Sequence, residues 1–307
     1  MYFRRIRSSG LLLSFCALIL LSSCGTSANG QGSSLSTTNG LVRVVAAENF
    51  YGDIVKQVGG THVSVTSMLS DPNIDPHSYE SSVNQVKAIA QAQLVVANGG
   101  GYDDWMDNLL ASTQANNQTV LKGYDIAPVK LSNNEHVWYD PTNAKAIAAA
   151  VASALKTIDA SHATDYERNL HIFQNAVGTI DQKLASIKDT YAQTPVGLTE
   201  TIYLYQTRLM NLKVLTPQGF QKAMAEGNDP PADTVVTTNN QVNQHQVKVL
   251  IYNQQTQSSI TTRLQKSAQQ QHIPVVAVTE LMPPDQNYQS WMLSQLSSLE
   301  HALGNSK

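Results

Sequence analysis

The sequence predicts an α/β protein built as two parallel-sheet lobes joined by one long helix. Three observations carry this reading. In the first half, short β-branched runs alternate with helical stretches, and the same alternation returns in the second half. Between the halves lies a segment with no strand signal, whose apolar residues recur at helical spacing. Alternating strand and helix signals imply βαβ units, and such units make parallel sheets.

Taken in order, the strand-like runs of the first half are Val42–Ala46, Val63–Leu69, Leu94–Ala97 and Thr119–Leu121. Helical stretches at Tyr51–Val58, Val83–Ala92 and Asp103–Ser112 separate them. Asn98-Gly99-Gly100-Gly101 follows the third run and reads as a tight turn. It is no phosphate loop, because it lacks the lysine and Tyr102-Asp103-Asp104 would present negative charge. In the connecting segment Leu170, Phe173, Val177, Ile180, Leu184 and Ile187 keep a 3.6-type period. Asp159-Ala160-Ser161 breaks it into a shorter and a longer helix, with Ser161 expected as N-cap. A run of about 30 residues would reach about 45 Å, enough to cross two lobes. The second half has strand-like runs at Pro195–Thr199, Leu212–Leu215, Val247–Tyr252 and Pro274–Val278. Its helical runs are Ile202–Met210, Thr234–Gln244, Ser258–Gln271 and Tyr288–Leu303.

The N-terminus reads as a targeting segment. Arg4, Arg5 and Arg7 precede an apolar stretch from Gly10 to Leu21, too short for a comfortable membrane span. Leu21-Ser22-Ser23-Cys24-Gly25 then resembles a bacterial lipobox, with Cys24 as the lipidated residue. The chain has two cysteines, Cys16 and Cys24, so a body processed at Cys24 has no disulfide and no thiolate ligand. Gly25 to Gly40 is rich in Ser, Thr, Gly and Asn and reads as a flexible tether. The expected layout is therefore a signal segment over 1–23 and a tether over 24–40. An N-terminal lobe over 41–142, a connecting helical segment over 143–193 and a C-terminal lobe over 194–307 follow. The expected place is outside the cytoplasm, tied to the bacterial cell membrane by Cys24. A net charge of −3 with no Lys/Arg-rich run gives no footprint for nucleic acid.

Among eight histidines, two stand out. His77 sits in Asp75-Pro76-His77-Ser78-Tyr79-Glu80 and His136 in Glu135-His136-Val137-Trp138-Tyr139-Asp140-Pro141. Both lie beyond strand ends, where open α/β sheets place ligands, among Pro and aromatic neighbours that lock a ring. Neutral imidazole ligates Zn, Fe, Mn and Ni when its other nitrogen is held. His62, His162, His171, His245, His272 and His301 have ordinary polar contexts and read as surface residues. In the second half Glu200 and Glu280 each follow a buried strand. A buried carboxylate needs a partner: a shared metal, a salt bridge or a helix cap.

These motifs together resemble the metal-specific solute-binding lipoproteins of ABC importers, the cluster A-I or zinc/manganese-binding family. The resemblance runs from Val42 to Leu303. It rests on Ala46-Ala47-Glu48-Asn49-Phe50-Tyr51-Gly52-Asp53, the His77 and His136 motifs, and Asn98-Gly99-Gly100-Gly101-Tyr102. It implies two α/β lobes with a metal in the cleft and two ligands from each lobe. The implied ligands are His77, His136, Glu200 (with Tyr205 five residues on) and Glu280, with Asp285 competing for the fourth place. Two departures appear: Glu200 stands where many zinc-uptake members have His, and their His-rich loop is absent. The implied partners are a membrane permease and its ATPase, and the expected state is a monomer. With two imidazoles and two carboxylates, Mn²⁺ is placed slightly ahead of Zn²⁺, and Fe²⁺ is also compatible. The expected activity is transport without catalysis. The alternatives are a surface adhesin or structural lipoprotein, an organic-solute receptor and a secreted metallohydrolase. No H-E-x-x-H occurs to favour the last.

Overall fold

The computed structural model describes residues 40–71, 83–113 and 117–306. His77 and Cys24, both singled out above, lie outside the described residues.

The first sheet contains β1 (Val42–Glu48), β2 (Val63–Leu69), β3 (Leu94–Ala97) and β4 (Thr119–Lys122), in the order β2-β1-β3-β4. All of its pairings are parallel. The connecting helices are α1 (Asn49–Gly59), α2 (Val83–Gln91), α3 (Asp104–Thr113) and the single turn α4 (Gly123–Ile126). Next come α5 (Pro141–Ile158) and α6 (Ala163–Tyr191). The second sheet repeats the first in the order β6-β5-β7-β8, again all parallel. Its strands are β5 (Pro195–Leu198), β6 (Lys213–Val214), β7 (Val249–Asn253) and β8 (Val275–Val278). Its helices are α7 (Leu204–Leu209), α8 (Gln218–Ala225), α9 (Ala232–Asn243), α10 (Ser259–Gln270) and α11 (Tyr288–Asn305).

The inner strands β3 and β7 are covered on both faces, which is why Leu94–Ala97 and residues 249–251 read as unbroken apolar runs. Along β1, Val42, Val44 and Ala46 face the central core while Val45 and Ala47 join a cluster with Ile89, Met106 and Leu109. In the second lobe a third cluster gathers Phe220, Met224, Val242, Leu250, Leu264 and Ile273 on the outer face. The central core is continuous from Val42 to Leu303 and runs through α5, α6 and α11, so the two lobes share one apolar interior.

Helix α6 has 29 residues, about 43 Å at about 1.5 Å per residue, and buries the predicted stripe from Leu170 to Ile187. The break before it falls at residues 160–162, a turn of 3₁₀-helix. Ser161 does not cap α6 as expected. His162 occupies the N-cap position without a side-chain cap, and the Ser161 hydroxyl instead donates to Asp159. Asp159 also takes hydrogen bonds from His162 Nδ1 at 2.6 Å and Tyr166 Oη at 2.7 Å, so it organises the turn. Those donors hold its carboxyl down at about 2. Phe173, 1% exposed, packs near the Tyr288 ring at 6.1 Å. Phe173→Ala will destabilise the protein by about 3–5 kcal/mol through the cavity it leaves, read from urea unfolding.

Candidate metal centre

In both sheets the strand order reverses between the first and third strands of the lobe, and ligands of open α/β folds sit outside the carboxyl ends at such points. In the first lobe these ends carry Glu48 as the last residue of β1 and the loop 98–103 after β3. In the second they carry Glu200 after β5, Asn253 at the end of β7 and Glu280 after β8.

The glycine loop is a tight turn, as expected. Gly99, Gly100 and Gly101 all have left-handed φ, at 71°, 68° and 93°. The turn brings the Asn98 and Gly99 N–H groups onto the two oxygens of Asp103, each at 2.6 Å. Buried Glu48 faces Asp103, and burial together with the Asp103 charge pushes the Glu48 pKa well up. Burial raises Asp103 as well. Tyr102, next in the loop, points across to the other lobe and donates its hydroxyl to Glu280 Oε2 at 2.9 Å.

His136 precedes the turn Val137–Tyr139 and is fully buried. Trp138 and Tyr102 pack edge-on against its ring, with centroids at 5.2 and 5.9 Å. Asp140 caps α5 by accepting from Thr142 N–H at 2.9 Å, with Pro141 pre-set for the first helical turn. This chemistry fixes the backbone that presents the imidazole.

Glu200 is 2% exposed. Its Oε2 accepts from the Ile202 N–H at 2.9 Å and the Thr201 hydroxyl at 3.3 Å, while Oε1 has no donor among the described residues. Burial first, and then the Glu280 charge, push its pKa up to about 8. Glu280, 1% exposed, is held by Tyr102, by Asn253 Nδ2 at 2.5 Å and by the Thr256 hydroxyl at 2.9 Å.

One atom each from His136, Glu200 and Glu280 lies within 4.8 Å of the other two, the one such grouping of potential metal ligands among the described residues. The three are drawn from both halves of the chain, at separations of 64 and more residues. Asp285, the competitor of Glu280, is exposed in a turn with φ 61° and is not in the group. The remaining described histidines keep ordinary contacts. His62 pairs with Asp165 at 2.9 Å and stacks on His162 at 3.8 Å, and His171 faces Glu167 at 3.5 Å. Sequence reasoning passed over Tyr102, Asn253, Thr256 and Asn134 (whose contacts are given below). The strand-end position of Asn253 was the one usable signal. An imidazole and two carboxylates, all buried, suit a divalent cation, since the two acids balance its charge and their mutual repulsion needs one.

Comparison with known proteins bears on the family and the fold. Residues 44–302 match the family model described as zinc-uptake complex component A, periplasmic. A putative metal-binding protein of Chlamydia trachomatis is 28% identical over 194 residues, covering 62% of this chain and 68% of that protein. A manganese ABC transporter substrate-binding lipoprotein of Streptococcus gordonii is 26% identical over 183 residues, covering 55% and 59%. The chain thus spans from 59% to 68% of the length of these two relatives. Among solved structures, the periplasmic zinc-binding protein TroA of Treponema pallidum superposes with a TM-score of 0.73 at 16% identity, over 86% of this chain and 99% of that one. The solute-binding protein FpvC of Pseudomonas aeruginosa, solved with Mn²⁺, gives 0.71 at 19% identity, over 87% and 100%. At these identities the likeness is one of fold.

Proposed function

This chain belongs to the zinc-uptake complex component A family, and from that premise we propose that it is the extracytoplasmic solute-binding component of an ABC importer for a divalent transition metal. The observation that carries the reading is the convergence of His136, Glu200 and Glu280 within 4.8 Å in a buried gap between the lobes. These three bind the cation, with His77 as the fourth ligand. Two carboxylates in the set favour Mn²⁺ over Zn²⁺ relative to an all-histidine site, although the Irving–Williams order still gives Zn²⁺ the higher raw affinity. The metal is cargo. Four protein ligands close the coordination of a tetrahedral Zn²⁺, unlike the three-ligand sites that activate a water, and the site binds and releases without catalysing. Cys24 anchors the chain to the outer face of the cell membrane, and a permease with its ATPase receives the metal.

Elemental analysis and titration of the full chain with Mn²⁺ and with Zn²⁺ test this directly. One equivalent is expected, His136→Ala will lose most of it, and His62→Ala will keep it. A wild-type chain that takes up no stoichiometric metal, or a His136→Ala variant that binds as wild type does, overturns the reading.

A further inference from the structure

Asn134 is 1% exposed, and its side chain touches both sides of the gap. Its Nδ2 donates to the Thr201 carbonyl at 2.8 Å, one peptide unit past Glu200. A carbonyl only accepts, so this bond fixes which end of the amide is which. Oδ1 therefore faces His136. There it accepts from the His136 backbone N–H at 3.0 Å and meets ring Nδ1 at 3.0 Å. An amide oxygen cannot donate, so Nδ1 carries the proton and the lone pair of neutral His136 sits on Nε2. The backbone of the same residue is pinned too. Tyr205 Oη donates to the Asn134 carbonyl at 3.1 Å and accepts from Leu131 N–H at 3.1 Å, and Leu131 and Asn134 form an isolated bridge.

We infer that Asn134 is a positioning residue that ties His136 of the first lobe to the Glu200 loop of the second, setting both the imidazole tautomer and the width of the gap between these two ligands. This rests on the metal-binding reading above and adds to it a determinant of metal choice. A fixed gap resists contraction. Zn²⁺ draws His and carboxylate ligands to about 2.0–2.2 Å in a tetrahedron, so loosening the tie favours Zn²⁺ relative to Mn²⁺.

The test uses the full chain, with Co²⁺ as the spectroscopic probe and with Mn²⁺ and Zn²⁺ in competition. Asn134→Ala will weaken Mn²⁺ binding about 10–100-fold, the usual cost of losing an outer partner of a metal ligand. It will also change the Co²⁺ d–d bands and shift the Mn²⁺/Zn²⁺ affinity ratio towards Zn²⁺. Asn134→Asp keeps an oxygen for His136 and removes the N–H that reaches Thr201. It separates orientation of one ring from coupling of two lobes, and it reads the proposal should the alanine variant not fold. Its Mn²⁺/Zn²⁺ ratio will shift in the same direction. Gln57→Ala is the control for loss of a cross-lobe contact, because Gln57 of α1 pairs with Gln289 of α11 at 2.9 Å and neither residue is among the ligands or their partners. It will lower the melting temperature of the metal-free protein and leave the Co²⁺ spectrum and the ratio unchanged. An Asn134→Asp variant with the wild-type spectrum and ratio overturns the inference while leaving the metal site standing. A wild-type chain that shows no Co²⁺ d–d bands sinks the metal site itself.

Discussion

Glutamine in place of Glu200 will cost the protein its metal, by more than about 100-fold in affinity for Mn²⁺, while leaving the metal-free fold as stable as before or more so. Both halves of this expectation come from one environment. Glu200 lies in a dry site beside Glu280, where burial and the neighbouring charge favour its protonated form. A protonated carboxyl and a carboxamide have nearly the same shape, and the substitution retains an oxygen to accept from Ile202 N–H. The metal-free protein therefore keeps a neutral, hydrogen-bonded side chain beside Glu280, and above the Glu200 pKa it is also spared a buried like-charge contact. The cation loses an anionic ligand, a larger loss than the roughly 10–100-fold expected for an outer-shell partner. Isothermal titration paired with thermal melting of the metal-free chain checks both halves. A variant that binds Mn²⁺ within threefold of wild type would remove Glu200 from the ligand set.

Most of the scaffold was legible in the sequence because most of its elements are encoded locally. Leu94–Ala97 is apolar without interruption, as a strand covered on both faces must be, Val42–Ala46 is broken only by exposed Arg43, and the stripe from Leu170 to Ile187 announces α6. Helix α8 went unread. Its eight residues after Pro217 are too few for a periodic signal, and packing against Val242 and Leu264 settles it. The Ser161 cap failed because Asp159 sits two residues earlier and takes the hydroxyl, an ordinary competition among short polar side chains. Glu200 and Glu280 were visible as acids at the ends of buried strands. What holds them was not. Tyr102 meets Glu280 across 178 residues of sequence, and Asn134 meets Thr201 across 67, pairings that no local pattern encodes. The burial of Glu280 and the three donors around it, which set it apart from exposed Asp285, are likewise beyond any local pattern.

The raised pKa of Glu200 also moves the pH range over which metal binding changes. From histidine protonation alone, affinity falls at about pH 5–6.5. With Glu200 up at about 8, from an ordinary 4.5, binding a cation at neutral pH must first displace a proton from this carboxyl. A group raised in the folded state stabilises the metal-free protein fully below the unfolded value, and that contribution disappears as pH climbs through the folded value. Glu48 and Asp103, both raised, act in the same direction. Asp159, lowered to about 2, has the opposite sign but is spent below pH 4 and contributes no slope here. The metal-free chain should thus lose stability between pH 6 and 8, by up to about 1.4 kcal/mol per unit for each proton released. Apparent affinity should meanwhile rise towards tenfold per unit for each proton displaced, levelling off above about 8. Because bound metal at free concentration c stabilises by RT ln(1 + c/Kd), the thermal shift produced by a fixed Mn²⁺ concentration will widen steeply from pH 6 to pH 8. Glu200→Gln, which has no proton to release there, should flatten the Glu200 share of the metal-free chain's loss of stability with pH. A wild-type thermal shift that stays constant across the interval would mean Glu200 is already ionised before the cation arrives, with the gap then open enough to water to keep two carboxylates charged side by side.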